Sequence, residues 1–209
     1  SVVGNVPFGD FKVSDKRYDK HKFLIHDYFF AKSLDKLRPG GVLAFLTSKG
    51  TMDKENPAVR KYIAQRAELL GAIRLPNNTF KGNSGTEVVS DILFLQKRDR
   101  IVDIEPDWVH LNTDENVIKM NQYFIDNPDM IIGEMQTVSG PFGEKTTCVP
   151  YEDQTLAEGL SEAIQNIHAE ITEYEFDDIM DEGGVDKSIP ADPSVRNFSY
   201  TVLDGKVYY

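Results

Sequence analysis

The stretch Val42-Leu43-Ala44-Phe45-Leu46-Thr47 is apolar without alternation, and Pro39-Gly40-Gly41 stands directly before it. A strand-length run of this kind has no polar face to offer water. It therefore needs cover on both sides, as in a parallel sheet flanked by helices. Upstream, Leu24, Tyr28, Ala31 and Leu34 recur at helical spacing, with Phe23, Phe30 and Leu37 beside them, which predicts an amphipathic helix over 20–37. The Pro-Gly-Gly that follows is a stop signal placed just past a helix end. Before that helix, Val2-Val3-Gly4-Asn5 reads as a short buried strand halted by Pro7 and Gly9. After the central run, 57–70 reads as a helix with Pro57 in its first turn, 70–75 as a strand, 77–85 as a turn-rich loop and 88–96 as a fourth strand. Strand, helix, strand, helix, strand is an α/β order. The fourth strand follows the third without a helix, so that pair is expected to be antiparallel and the rest of the sheet parallel.

Charge divides the 209 residues unequally. Residues 1–100 hold 18 Lys and Arg against 11 Asp and Glu, a net +7, whereas 101–209 hold 5 against 23, a net −18. The overall −11 therefore does not exclude a polyanionic partner, because the first half is cationic. The step suggests a boundary near residue 100. Beyond it the pattern weakens to a short helix at 117–126 and a clear amphipathic helix carried by Leu156, Leu160, Ile164, Ile167 and Ile171. Residues 173–187 carry seven Asp and Glu against Lys187 alone and read as a mobile linker. The end, 199–209, alternates apolar residues around Asp204-Gly205, a hairpin signal. The expected organisation is thus a catalytic half at 1–100, a helical or irregular extension at 101–172, and an acidic linker with a terminal hairpin at 173–209. Ser1 leads straight into a strand with no initiator Met, and the hairpin stops abruptly. The sequence is accordingly expected to be a piece cut from a longer chain. One cysteine, Cys148, and four scattered histidines exclude a disulfide framework and a dense metal site. The absence of any long apolar run excludes a membrane span, and a cytoplasmic setting is expected.

The chemistry concentrates in Asn5-Val6-Pro7-Phe8, directly after the first strand. Ligands of open α/β sheets bind beyond the carboxyl ends of the strands. Asn5 offers an amide oxygen. Val6 precedes proline, so it is held extended and its carbonyl direction is restricted. Phe8 adds a flat apolar ring. Two acceptors and a ring form a receptor for a planar group that carries an –NH₂. Elsewhere the residues read more plainly: His26 and Asp27 as a surface or satisfied pair, Thr47-Ser48-Lys49 as turn formers or substrate contacts at a strand end, Cys148 as a small buried side chain, and Phe80 as a loop anchor.

The tetrapeptide resembles the (Asn/Asp/Ser)-Pro-Pro-(Tyr/Phe) motif of S-adenosylmethionine-dependent amino-group methyltransferases, in particular the N6-adenine DNA methyltransferases. The resemblance covers residues 1–98. It continues through His26 to Gly41 as the family's next helix, Val42 to Lys54 as its next strand and loop, and Phe80-Lys81-Gly82 ahead of Val88–Leu95 as its late motif. More loosely, 120–150 and 191–200 are similar to large methylase–helicase fusion proteins of bacterial mobile elements, in which a Swi/Snf-type helicase follows. The resemblance implies a partial Rossmann-like methyltransferase sheet. It implies that Asn5 and the Val6 carbonyl accept hydrogen bonds from the adenine amino group, that Pro7 shapes the turn, and that Phe8 stacks on a base flipped out of the duplex. It makes Phe80 the base's second stacking wall, S-adenosylmethionine the cofactor, and DNA and further domains of the same chain the partners. Two features depart from the family. Val6 stands where the motif has proline, and no cofactor-binding half is recognised; Ser139-Gly140-Pro141-Phe142-Gly143 is the nearest glycine-rich candidate, with no strand expected before it. The residues responsible for holding the cofactor are therefore unassigned, and the fragment alone is expected to be inactive. The rival readings are an inactive DNA-binding or connecting platform beside a helicase, or a methyltransferase acting on RNA or protein.

Overall fold

The structure, a computed structural model, describes residues 1–84, 87–140 and 143–174, together with the strand residues 201–203 and 206–208. Residues 1–174 form one compact unit. Its sheet has four strands: β1 (Val2–Asn5), β2 (Val42–Ser48), β3 (Ala67–Leu75) and β4 (Ser90–Lys97), in the spatial order β1-β2-β4-β3. β1 and β2 are parallel, and β4 runs antiparallel to both β2 and β3. Three strands therefore share one direction and one opposes them, which is the mixed α/β sheet that the sequence order implies. The connection from β3 to β4 carries only the single turn Lys81–Ser84 and no crossover helix, in keeping with a reversed strand.

Helix α1 (Ile25–Lys36) makes the crossover between β1 and β2. Its Phe30 meets Phe45 of β2 edge-on, with ring centroids 5.2 Å apart. The helix begins at Ile25 rather than near residue 20. Lys22 adopts a left-handed backbone (φ 54°) after a 3₁₀ turn at Asp19–His21, and the chain re-enters helix where the Ile25 N–H donates to the Phe11 carbonyl. The left-handed break lets Phe23 stack on His21 and meet Tyr62. β2 is buried mainly on the face of Leu43, Phe45 and Thr47, while Ala44 and Leu46 on the other face are half-buried.

After the short α2 (Gly50–Asp53), α3 (Ala58–Ala64) is much shorter than the 57–70 pattern. Residues 67–69 instead pair with β4, in the register Ala67↔Lys97, Glu68↔Gln96 and Leu69↔Leu95. Sheet pairing there overrides the helical spacing. The loop after β3 contains one helical turn, α4 (Lys81–Ser84).

The segment beyond residue 100 packs onto this sheet, so the charge step falls inside the compact unit. Ile118, Met120, Phe124, Met130, Ile132 and Ala163 belong to the same apolar core as Leu43, Ile73 and Leu93. The outer edge of β3 is covered by Ile131 and Ile132, whose N–H donates to the Arg74 carbonyl. Within this segment β5 (Leu111–Thr113) pairs with β6 (Lys119–Asn121), and α5 (Gln122–Asp126) follows. The expected helix at 117–126 is thus strand over Lys119–Asn121 and helix only over Gln122–Asp126. The Asn121 side chain caps α5 by accepting from the Tyr123 N–H.

β7 (Glu134–Gly140) and β8 (Gly143–Val149) form a two-stranded ribbon. α6 (Leu156–Gln165) opens with a capping box between Thr155 and Glu158. It stops six residues before Ile171, and Ile164 and Ile171 lie exposed. The chain then runs extended to a clasp in which the Gln96 side-chain amide exchanges two hydrogen bonds with the Thr172 backbone, at 2.8 and 3.0 Å.

In the second unit, β9 (Thr201–Leu203) and β10 (Lys206–Tyr208) pair antiparallel, as the Asp-Gly signal predicts. Most of the acidic tract at 173–187 lies outside the described residues.

Candidate active site at the carboxyl edge of the sheet

The carboxyl ends of β1, β2 and β3 and the amino end of β4 share one edge, with Ser90 paired both to Ser48 and to Leu75. At this edge Asn5 is the last residue of β1, in register with Leu46. The next residue extends the ladder, because the Val6 N–H donates to the Leu46 carbonyl at 3.0 Å. A proline at this position has no such donor. Val6 also inserts its side chain into the core and is only 3% exposed. Direction lost with the proline ring is thus restored by a ladder hydrogen bond and by burial. Asn5 and Pro7 stay exposed, and Phe8 presents its ring at 42% exposure.

The Phe11 ring packs against Gly9. A Cβ there would lie 2.6 Å from the Phe11 ring, so a larger residue would displace that ring from the turn. Phe11 is itself exposed, and its carbonyl is pinned to the first turn of α1. It is a second aromatic at this turn, and the polar, charged character of 10–19 hid it.

The first turn of α1 carries the next group. His26 and Asp27 are both buried. Lys54 from the loop after α2 donates to both Asp27 carboxylate oxygens, at 2.9 and 2.8 Å, and its Nζ lies 3.4 Å from His26 Nε2. His26 Nδ1 is buried without a hydrogen-bond partner among the described residues. Burial, with Lys54 adding to it, holds the His26 imidazole below its ordinary pKa against the opposing pull of Asp27 and Asp10. Asp27 is satisfied while His26 is satisfied at Nε2 alone, and the pair forms a buried clasp that ties the loop after β2 to the helix beside the Asn5 turn.

Beneath the edge lies Arg74 of β3, fully buried. It donates from Nε and Nη2 to Asp91 of β4 at 2.8 and 2.9 Å. Its Nη1 sits 2.9 Å from Asp53 of α2 at an angle outside hydrogen-bonding geometry. Its guanidinium lies over the Phe124 ring, 4.2 Å from the centroid. Burial opposes the charge of Arg74, but Asp91 and Asp53 outweigh it and raise its pKa. Asp53 also accepts from the Asn121 N–H. This network joins β3, β4, α2 and the later segment under the site. No periodicity marks it, because Arg74 and Asp91 meet only through the β3–β4 register.

Thr47 and Ser48 end β2 as expected, with Thr47 bonded to Thr51 at 2.8 Å. Lys49 donates to the backbone carbonyl and the hydroxyl of Thr146 on β8, and burial holds its pKa below the ordinary lysine value. Phe80 stands in the loop after β3, half-buried against the core. Adjacent strands lie about 4.8 Å apart, so the roots of the Phe80 loop and the Asn5 turn are about 14 Å apart across three strand spacings. Asn5, Val6, Pro7 and Phe8 are therefore together on one turn, while Phe80 reaches the same edge from the far strand.

The 139–143 segment is corrected. A strand does precede it, but Gly140 and Gly143 close a hairpin between antiparallel strands rather than opening a helix. Among the described residues no glycine-rich turn joins a strand to a helix N-terminus, the cradle that a nucleoside cofactor with a charged tail requires. The residues present thus do not fit a complete S-adenosylmethionine site. No described cluster of His, Cys, Asp and Glu could hold a metal ion, and no described helix is long and apolar enough to cross a membrane. Cys148 is fully buried, with its thiol pushed up to about 12 by burial, which leaves it inert.

No protein-family model matches the chain. Over 100 residues it is 37% identical to the "Defense against restriction protein B" of Escherichia phage P1; the match takes in 46% of this chain and 4% of that protein. Three solved structures are similar to parts of it, each with a TM-score of 0.37. One is a chain of a type I restriction–modification system, at 22% identity over 46% of this chain and 20% of that one. Another, from Listeria monocytogenes, is assigned to the class I S-adenosylmethionine-dependent methyltransferases, at 26% identity over 50% and 33%. The third is assigned as a modification subunit of a type I restriction enzyme from Vibrio vulnificus, at 15% identity over 73% and 37%. The chain thus spans less than half the length of each of these four proteins.

Proposed function

We propose that this chain is the target-base half of a methyltransferase that modifies the N6 amino group of adenine in DNA. The observation that carries the reading is the Asn5–Phe8 turn. It has an exposed amide at a strand end, a next residue held in the ladder by the Val6–Leu46 hydrogen bond and kept extended by the proline that follows it, and an exposed ring two residues on. In this reading Asn5 Oδ1 and the Val6 carbonyl each accept one N–H of the adenine amino group. Holding both protons in the plane of the acceptors draws electron density onto the nitrogen and fixes the direction of its lone pair. Phe8 stacks on the extruded base, and Phe80 approaches from the opposite end of the edge as a second wall. No strong base is required, since the amino proton is lost only after the nitrogen has become cationic. S-adenosylmethionine is the methyl donor implied by the resemblance. In this reading its binding is supplied by residues other than the described ones. The relative's name connects that phage protein with defence against restriction, and adenine methylation is a chemistry that protects DNA from cleavage.

The test is methyl transfer by the full-length protein that contains this sequence. Asn5→Ala is expected to lower the rate at least about 100-fold, the scale for loss of a transition-state acceptor, with the fold and DNA binding unchanged. Full activity in that variant would overturn the assignment. Transfer absent from the unaltered protein, with DNA bound, would favour the inactive platform instead.

A further inference from the structure

The β7–β8 ribbon is rooted in the same edge as the candidate site. Lys49, which follows β2, holds Thr146. Asn77, which follows β3, donates from its backbone to the Cys148 carbonyl at 2.8 Å and from its side chain to the Thr147 hydroxyl at 3.1 Å. Both anchors are on the β8 strand near its buried end. At the base, Gly133 turns with φ 146°, and a Cβ there would sit 2.4 Å from the Val149 carbonyl oxygen. The root is therefore set by two loops and a position that requires glycine.

Register then decides what the ribbon shows. Residues directly opposed in an antiparallel pair share a face. Met135 and Cys148 are opposed and turn inward, with Met135 against the core and Cys148 fully buried. Along the same face outward come the pairs Thr137↔Thr146 and Ser139↔Glu144. Thr137, Ser139 and Glu144 are exposed. Seven residues per strand make an arm of about 24 Å at 3.4 Å per residue. The face that is apolar where it meets the core is thus purely hydrogen-bonding where it leaves it.

We propose that this arm reads base edges in the groove of the duplex beside the base held at the Asn5 turn. The inference rests on the DNA reading given above. A two-stranded ribbon fits the major groove, where hydroxyls contact any base and a carboxylate accepts from the cytosine or adenine amino group. Lys49 stands against this face only at its root, on Thr146, and the exposed residues Thr137, Ser139 and Glu144 include no cation, so they contribute sequence preference rather than phosphate attraction.

Binding selection from randomised duplex DNA tests this independently of catalysis. The full-length protein is compared with its Thr137→Ala/Ser139→Ala/Glu144→Ala variant, all three positions being exposed. The unaltered protein is expected to enrich a motif, and the variant to lose roughly tenfold or more of the preference at one or more positions. The dependence of its affinity on salt should not change. The same motif and preference in the variant would overturn the proposal. So would enrichment of no duplex motif by the unaltered protein, or enrichment from an RNA pool alone. A protein that selects a motif through the ribbon yet transfers no methyl group would leave the ribbon's role standing and remove the catalytic reading.

Discussion

Val6 carries the main question at the scale of the residue. The motif that the tetrapeptide resembles has proline there, and the structure supplies a different means to the same end: one more rung of the β1–β2 ladder and a side chain in the core. Val6→Ala removes two buried methyl groups, which is expected to cost about 1–3 kcal/mol of stability. Asn5→Ala, at an exposed position, should lie within about 0.5 kcal/mol of the unaltered protein. Urea denaturation of the two variants checks both values. His26 supplies a second test. Its folded-state pKa is depressed by burial, so the unfolded chain binds the proton more readily. The stability that this contributes is present above the unfolded imidazole value of about 6.5 and is lost as pH falls below it. His26→Gln should therefore flatten the decline in stability between about pH 6.5 and 5. A residual slope is expected from His21, which is depressed in the same sense. An identical pH profile in the variant would show that His26 is not a source of the acid sensitivity.

At the scale of the element, the parts of the sheet that were legible in sequence were those whose signal is local. The runs at 2–5, 42–47, 70–75 and 88–96 are apolar and bounded by turn residues, and each became a strand. What was not legible depends on partners distant in the chain. Ala67–Leu69 have helical spacing but become strand because β4 pairs with them. The ribbon at 134–149 carries no apolar alternation to mark it, because beyond the root Val138 is its one apolar side chain among the described residues. The Arg74–Asp91–Asp53 network joins three elements through register and burial, which no spacing rule marks. The acceptor turn was readable because its acceptors and ring sit on four consecutive residues, whereas the His26–Asp27–Lys54 clasp and the Lys49 anchor were not. Arg74→Ala strands two carboxylates beneath the sheet edge. It is expected to cost about 3–5 kcal/mol, the scale for removing one partner of a buried ion pair, measured by chemical denaturation. A loss of less than about 1 kcal/mol would show that the network contributes no more than a surface pair.

The molecule as a whole is organised across the charge step rather than at it. Ile118, Met120, Phe124, Met130 and Ile132, all from the acidic half, complete the core that β2, β3 and β4 begin. The Gln96–Thr172 clasp closes the compact unit at its end. Residues 1–100 expressed alone are therefore expected to lack a cooperative thermal transition, whereas residues 1–174 should retain one. A sharp transition in the shorter piece, followed by circular dichroism, would contradict this account of the core.

The central claim is that the turn at the end of β1 presents adenine's amino group to a methyl donor. The most direct measurement gives the full-length protein duplex DNA and S-adenosylmethionine labelled in its methyl group. The DNA is then digested to nucleosides and the labelled product identified by mass spectrometry. The account predicts label in N6-methyladenine, lost when Asn5 is alanine. Label in a methylated cytosine, in RNA or in protein, or N6-methyladenine undiminished in the Asn5→Ala variant, would contradict it.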